Sequence, residues 1–458
     1  MAERSLARRL PPVARGAAGS RSEPQNQVWE MKMDEGVVLL IASGNQRYRE
    51  YLLAGVSRKW PIWLLDPVES TWQKPYVVGT TVVPFGDADR LAPDVDGLIA
   101  AAREIARQRP VRAAFTYDET HVVPAAHVAA ALGLPGPTVD GAENCRNKRR
   151  SREVLTAAGV PQPRFAMVGS LEAARAAANE IGYPLVLKPQ GMAGSIGVVR
   201  VDSEADLAAS FGIAYRASFV GNPNYEGGVL VEEMVSGPEI SIDGISFEGE
   251  YEPLFLARKA VGLAPYFEET GHVIDPADPL LRDADLLDVL VRAHRALGVR
   301  DGITHTEVML TKRGPVIIEV NGRLGGDLIP YVGQLATGLD PGAIAADIAA
   351  GVRPTLEPTE HRVVGIRFEY PPQDCRVVEI ALPEPGSLPG LLKASAMVPP
   401  GKELRLPPKG YMGRYAYVIC AAADPAGCDA ALDAAAAAAV LRFEEPVMVD
   451  DPAKVAIG

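Results

Sequence analysis

Cysteine is scarce in this chain: four among 458 residues, Cys145, Cys375, Cys420 and Cys428, with no C-x-x-C pair. Neither a disulfide framework nor a cysteine-based zinc site is predicted, and a reducing cytoplasm fits best. Long apolar runs are missing too. The longest near the start, Gly36 to Ala42, is far too short to span a bilayer and reads as a first core strand. Basic charge is in deficit, with 46 Lys and Arg against 58 Asp and Glu and a formal net charge of −12. That balance argues against generic binding of nucleic acid, which starts from a basic field over the phosphates. Two nucleotide fingerprints are absent as well. The first turn, Ser43-Gly44-Asn45, holds one glycine and not G-x-G-x-x-G, which argues against a Rossmann-type dehydrogenase, and no G-x-x-x-x-G-K-[ST] occurs. There is no internal repeat.

What remains is an ordinary globular composition, 47% hydrophobic and 23% charged, long enough for three or four domains. Residues 1 to 33 carry five arginines, Arg4, Arg8, Arg9, Arg15 and Arg21, without periodicity and are expected to be a disordered tail. From Val37 strands and helices alternate (VVLLIA, IWLLD, DGLIAAAREIARQ, AAFTY), which implies a doubly wound parallel sheet over residues 34 to 140. A basic helix, NKRRSREVLTAAG, then marks a change of pattern. The middle of the chain is assigned to residues 141 to 355, with subdomains of about 160 to 235 and 236 to 355. Beyond it lies an α+β segment, 356 to 458, in which VVGIRFEY and GRYAYVICAAAD read as strands and about 426 to 441 as an alanine-rich helix.

The most informative stretch is THTEVMLTKRGPVIIEVNGRLGG, residues 304 to 326. Lys312-Arg313-Gly314 is a polar turn between apolar-rich runs. A three-residue loop pairs Thr311 with Pro315 and sets Glu307 opposite Glu319. Alternation then puts Glu319, Asn321 and Arg323 on one face and Val316, Ile318 and Val320 on the other. Carboxylates opposed across strands repel, so a cation between them is expected, and Glu307, Glu319 and Asn321 offer the oxygen ligands that suit Mg²⁺. A solvated edge hairpin is the competing reading for this triplet taken alone.

Upstream, a lysine ends an apolar strand at Lys188, and the loop Gly191-Met-Ala-Gly194-Ser195-Ile196-Gly197 follows. Its backbone N–H groups can close over an anion, and a lysine at the end of a buried strand needs an anionic partner. Glu232-Glu233-Met234-Val235, Ser236-Gly-Pro and Glu239 then place backbone amides beside an apolar slot that suits a purine and its ribose.

Taken in this order, the basic helix with Lys148, Lys188 with its glycine loop, VEEMVSGPE and E-x(11)-E-V-N-G-R resemble the ATP-grasp superfamily. Within it the chain looks most like carboxylate–amine ligases of the L-amino acid ligase and carnosine synthase type. The resemblance implies α/β and α+β architecture: an ATP-grasp fold with an N-terminal parallel-sheet domain and a C-terminal α+β segment. Lys148 and Lys188 would hold ATP phosphates under Gly191, Gly194, Ser195, Ile196 and Gly197. Glu232 and the backbone of Glu233 and Val235 would read adenine, and Glu239 would bind ribose. Glu307, Glu319 and Asn321 would hold two Mg²⁺ ions, with Mn²⁺ as a possible substitute, and Arg323 would stabilise the transferring phosphoryl. Glu269 and His272 would contact an amino-acid substrate, together with Arg323, Gly325, Gly326 and Asp327. For Asp327, capping of the helix that follows is the competing role. The implied partners are a small carboxylate and an amine, without nucleic acid or membrane, in a protein that can be a homodimer. Biotin carboxylase-like chemistry, nucleotide-precursor ligation and non-catalytic ATP binding stay open as alternatives.

Overall fold

The computed structural model describes residues 36–87, 92–220, 225–446 and the backbone of 456–457. The arginine-bearing tail expected at residues 1 to 33 lies outside them. In the N-terminal part, four parallel strands run in the order Gly79–Val82, Ile62–Asp66, Val37–Ile41, Val111–Phe115. The strand VVLLI is buried along its whole length because both faces are covered. Val37, Leu39 and Ile41 pack against Leu98, Ala102 and Ile105, whereas Val38 and Leu40 meet Leu52, Leu53 and Val56. That is the doubly wound arrangement expected from near-continuous apolar strands.

Four antiparallel strands, ordered Phe165–Val168, Val229–Glu233, Leu185–Pro189, Val199–Val201, form a second sheet. Helices Leu171–Ile181 and Glu204–Ala217 cover one side of it through Ala174, Ala178, Leu207 and Phe211. The third sheet has eight antiparallel strands. Gly314–Asn321, Gly302–Thr311, Glu239–Phe247, Glu250–Gly262 and Glu268–Ile274 are followed by Val363–Glu369, Ala416–Ala422 and Leu391–Ala396. The sheet therefore runs across the boundary expected near residue 355, and the C-terminal segment shares its hydrogen bonds. The alanine-rich helix is Pro425–Ala438, shorter than its composition suggests, because Val440–Glu444 pairs as a strand with Cys375–Ala381. Among the described residues no helix is long and apolar enough to cross a membrane.

Candidate active site

A cleft of about 830 Å³, counting its open mouth, lies between the second and third sheets. Its acidic wall is the hairpin of strands Gly302–Thr311 and Gly314–Asn321, where Glu307 does pair with Glu319. The route to that register differs from the one expected. The turn is the two-residue Lys312-Arg313, so Thr311 faces Gly314 and Leu310 faces Pro315, and a bulge between Glu307 and Val308 restores the opposition of the two acids. The extra residue also reverses one side chain. Ile317, not Ile318, joins Val320 in the core, and Ile318 turns into the cleft beside Glu319.

The two opposed carboxylates are not alike. Burial would raise both, but Lys148, with its Nζ 2.8 Å from Glu319 Oε1, holds Glu319 below the usual carboxylate range. Glu307 is pushed up by burial and by Glu239, Glu319 and Glu269, against the pull of Lys259. Asn321 is nearly fully buried, and its Oδ1 accepts no hydrogen bond. A buried orphan acceptor beside two paired carboxylates is the donor set a hard divalent cation takes.

The opposite wall carries Lys148 and Lys188. Lys148 opens the helix Lys148–Ala157, capped by Asn147, and also donates to the Met192 carbonyl at 2.6 Å. Lys188 reaches Glu232 Oε2 at 2.8 Å, which supplies the anion the sequence demands. Glu232, expected to read adenine, lines the cleft. Its other oxygen takes Arg152 Nε at 2.6 Å, so the carboxylate serves to hold Lys188. Burial alone would raise its pKa; Arg152 and Lys188 outweigh that and hold it down to about 2. In the unfolded chain a glutamate titrates at about 4.3, so the pair contributes about 3 kcal/mol above pH ~5, lost as the pH falls toward 2. The stability gap between the wild type and Glu232→Gln, from urea melts, is expected to shrink steadily below pH ~5. A gap unchanged down to pH ~3 would contradict this assignment.

Met192, Ala193, Gly194 and Ser195 overhang the cleft. Gly191 is required, because a Cβ there would sit 2.5 Å from the Tyr225 ring. Gly194 and Gly197 have φ of +64° and +75°, and Ser195 is also left-handed at +56°. Gly191 and Ile196 contribute differently from Gly194 and Ser195: the Gly191 carbonyl accepts from Arg146, and Ile196 packs away from the cleft against Ala217 and Tyr411. Val186, Met234, Val235, Met309, Ile318 and Phe267 form the apolar slot at the other end. The Glu233 carboxylate is tied to Arg164 and Arg313.

Lys259, which carries no sequence motif, stands at the centre. Its side chain is 2% exposed, and its Nζ lies 2.7 Å from Glu239, 2.7 Å from Glu269 and 3.5 Å from Glu307. Desolvation opposes its charge, but Glu269, Glu307 and Glu239 raise its pKa well above the usual lysine value. One ammonium thus joins the acid expected at ribose, the acid expected at substrate and a metal-side acid.

Beyond Lys259 is a second cluster. His272 lies opposite Lys259 across neighbouring strands, with Nε2 3.2 Å from Glu269 and 3.8 Å from Asp327. It is 1% exposed, and neither ring nitrogen is aligned for a hydrogen bond. Burial would lower its pKa; Asp327 and Glu269 raise it instead. Asp327 does not cap the following helix, whose N-cap is Leu328 without a side-chain bond. Its two oxygens instead take Arg414 Nη1 and Nη2, each at 2.7 Å, and both Asp327 and Leu328 have left-handed backbones. Arg414 also stacks 3.9 Å from the Phe368 ring and donates to the Tyr370 hydroxyl. It comes from the C-terminal segment, where nothing local in the sequence marks it.

Arg323 is placed outside the lining of the cleft. Its Nε is 2.5 Å from Glu119 Oε2, Glu119 also lies 3.4 Å from Arg146, and Nη1 donates to the Leu324 carbonyl. Gly325 N–H donates to Asp243, which accepts from His305 at 2.8 Å, and a Cβ at Gly325 would collide with that ring. Gly326 opens onto free space. Asn321, Arg323 and Gly325 thus form a continuous run anchored by Glu119, Asp243 and His305, three residues that the sequence reading missed.

A cleft gripped between two sheets, with paired acids on one wall and lysines under a glycine loop on the other, is the arrangement of the ATP-grasp fold. The family model described as an ATP-grasp domain matches residues 181–331. Alanine–anticapsin ligase of Bacillus subtilis is 32% identical over 261 residues, covering 51% of this chain and 52% of that protein. D-alanine–D-alanine ligase of Pseudomonas entomophila is 30% identical over 219 residues, 46% of this chain and 65% of the relative. The chain thus matches about half to two thirds of these ligases. The solved L-amino acid ligase from Bacillus licheniformis superposes with a TM-score of 0.72 at 21% identity, covering 90% of this chain and 99% of that one.

Proposed function

We propose that this protein is an ATP-dependent carboxylate–amine ligase that activates a small acid, an amino acid or a related compound, as an acyl phosphate. An amine then displaces phosphate, forming an amide and releasing ADP and phosphate. The observation that carries the reading is Lys259, which with Glu269 joins the cleft to a second cluster of His272, Asp327 and Arg414. A mere nucleotide sensor has no need of that second cluster.

Phosphoryl transfer asks for positioning and charge neutralisation more than for covalent chemistry by the protein. Lys148 and Lys188 supply positive charge on the phosphate side. Glu307, Glu319 and Asn321 would hold Mg²⁺, two ions in this reading with Mn²⁺ able to replace them, which neutralises charge on the transferring phosphoryl when bound. Lys259 brings the acid toward the nucleotide while satisfying Glu239 and Glu269. Glu269 and Asp327 offer acceptors to a substrate ammonium, and His272 offers an N–H to the substrate's carboxylate. The glycine loop excludes water, which would otherwise hydrolyse the acyl phosphate. Arg323, held by Glu119, would stand ready for the acyl phosphate once that carboxylate yields it.

A panel of amino acids and other amines, scored for ADP release together with coupled product, tests the reading. ADP release stimulated by bicarbonate and not by amino acids would overturn it. A sharper test is Asp327→Asn. The change weakens a buried bidentate ion pair, costs on the order of 3 kcal/mol, and is expected to alter which substrate is preferred. Loss of stability with the substrate ranking intact would remove Asp327 from the pocket.

A further inference from the structure

The strand Glu268–Ile274 presents neighbouring acids to different surroundings. Glu269 joins Lys259 and His272 in the cleft, whereas Glu268 Oε2 accepts from the Tyr370 hydroxyl at 2.7 Å and from the backbone N–H of Met412 at 3.0 Å. Met412 belongs to the stretch Gly410-Tyr411-Met412-Gly413-Arg414, whose last residue clamps Asp327. The same stretch reaches the other end of the cleft. Tyr411, 1% exposed, packs with Ile196 and Ala217, and Met412 and Met192 flank that contact. The Met412 sulfur lies 3.4 Å from where a Cβ on Gly194 would stand. Met412 holds a left-handed backbone at φ +54°, and a Cβ on Gly413 would meet the Arg405 carbonyl at 2.5 Å, so the bend is fixed closely.

We propose that Tyr411 and Met412 are positioning residues that seat the phosphate loop in its closed form, and that Glu268 ties this seat to the acid-binding end. The inference rests on the ligase reading of the cleft. The loop would cover ATP; the seat lies outside the lining of the cleft and meets the loop through Ile196 and Gly194. With the seat intact, the acyl phosphate formed from acid and ATP meets the amine. With it loosened, water attacks the acyl carbon, the acyl–oxygen bond breaks, and acid and inorganic phosphate are released. ATP is then consumed without an amide.

Tyr411→Ala and Met412→Ala are the test, with Tyr411→Phe as the conservative variant that keeps the ring. Folding is checked by thermal melting. ADP released per amide formed is expected to rise about threefold in the alanine variants and to return toward the wild-type ratio in Tyr411→Phe. Unchanged stoichiometry in folded alanine variants overturns the proposal. A second readout does not depend on the ligase reading: amide hydrogen exchange of residues 191–197 with Mg²⁺ and ATP present. Faster exchange in the alanine variants supports the seat even if no amine in the panel yields product, a result that would defeat the ligase reading alone. Exchange equal to wild type overturns the seat whatever the reaction proves to be.

Discussion

Glu319→Ala is expected to leave a folded protein with turnover reduced at least about 10³-fold, the largest effect of any single substitution in the cleft. Two forces act on the fold. Removing one of two opposed carboxylates relieves repulsion on Glu307, while Lys148 loses its 2.8 Å partner and keeps only the Met192 carbonyl. These oppose each other, so the melting temperature moves little. Catalysis has no such compensation, because Glu319 is the acid best placed to share a cation with both Glu307 and Asn321. A readout apart from turnover is Mn²⁺ binding by paramagnetic resonance in the presence of ATP, expected to weaken strongly. Turnover like wild type in a folded variant would sink the metal assignment.

The hairpin shows how much of this site a sequence can carry. Opposition of Glu307 and Glu319 was legible because alternation and a polar turn constrain a short, local pair. The loop was read one residue too long, and a bulge at Ile318 compensated. A bulge leaves no mark in composition, so Ile318 was assigned to the wrong face. Lys188 was legible for a physical reason too: a lysine on a buried strand demands an anion, and Glu232 is there. The consequence for Glu232 was not legible, since Arg152 reaches it from a helix 80 positions away. The doubly wound sheet followed from apolar runs whose burial on both faces needs no long-range knowledge.

The distant end of the site was nearly silent. Arg414 meets Asp327 across 87 positions, Glu119 meets Arg323 across 204, and neither pair has a spacing rule. Competing roles for Asp327 could be separated only by seeing that its carboxylate faces Arg414 while Leu328 occupies the N-cap. Lys259 is the instructive case. It sits in LFLARKAVG, an alternating strand where a lysine reads as a solvent-facing residue, yet it is buried because three strands bring one acid each to it.

Lys259→Met therefore carries the second large expectation. A buried cation with three carboxylate neighbours is removed and a side chain of similar length replaces it, so the acids keep their positions and lose their counter-charge. Breaking a buried pair from one side costs about 3–5 kcal/mol, which makes the variant visibly less stable. Turnover is expected to fall about 10²- to 10³-fold, with the loss seen both in kcat and in the KM for the acid, since in the proposed reading the ammonium stands between the nucleotide and the acid. A merely structural lysine would give the first effect without the second. Mg²⁺ separates the roles further. With Glu307, Glu239 and Glu269 left unbalanced, added Mg²⁺ should raise the melting temperature of the variant more than that of the wild type, because the ion now answers charge that Lys259 had answered. If Lys259→Met instead kept wild-type kcat and KM, the bridge between nucleotide cleft and acid cluster would have no part in the reaction, and the strongest ground for reading this cleft as a ligase would be gone.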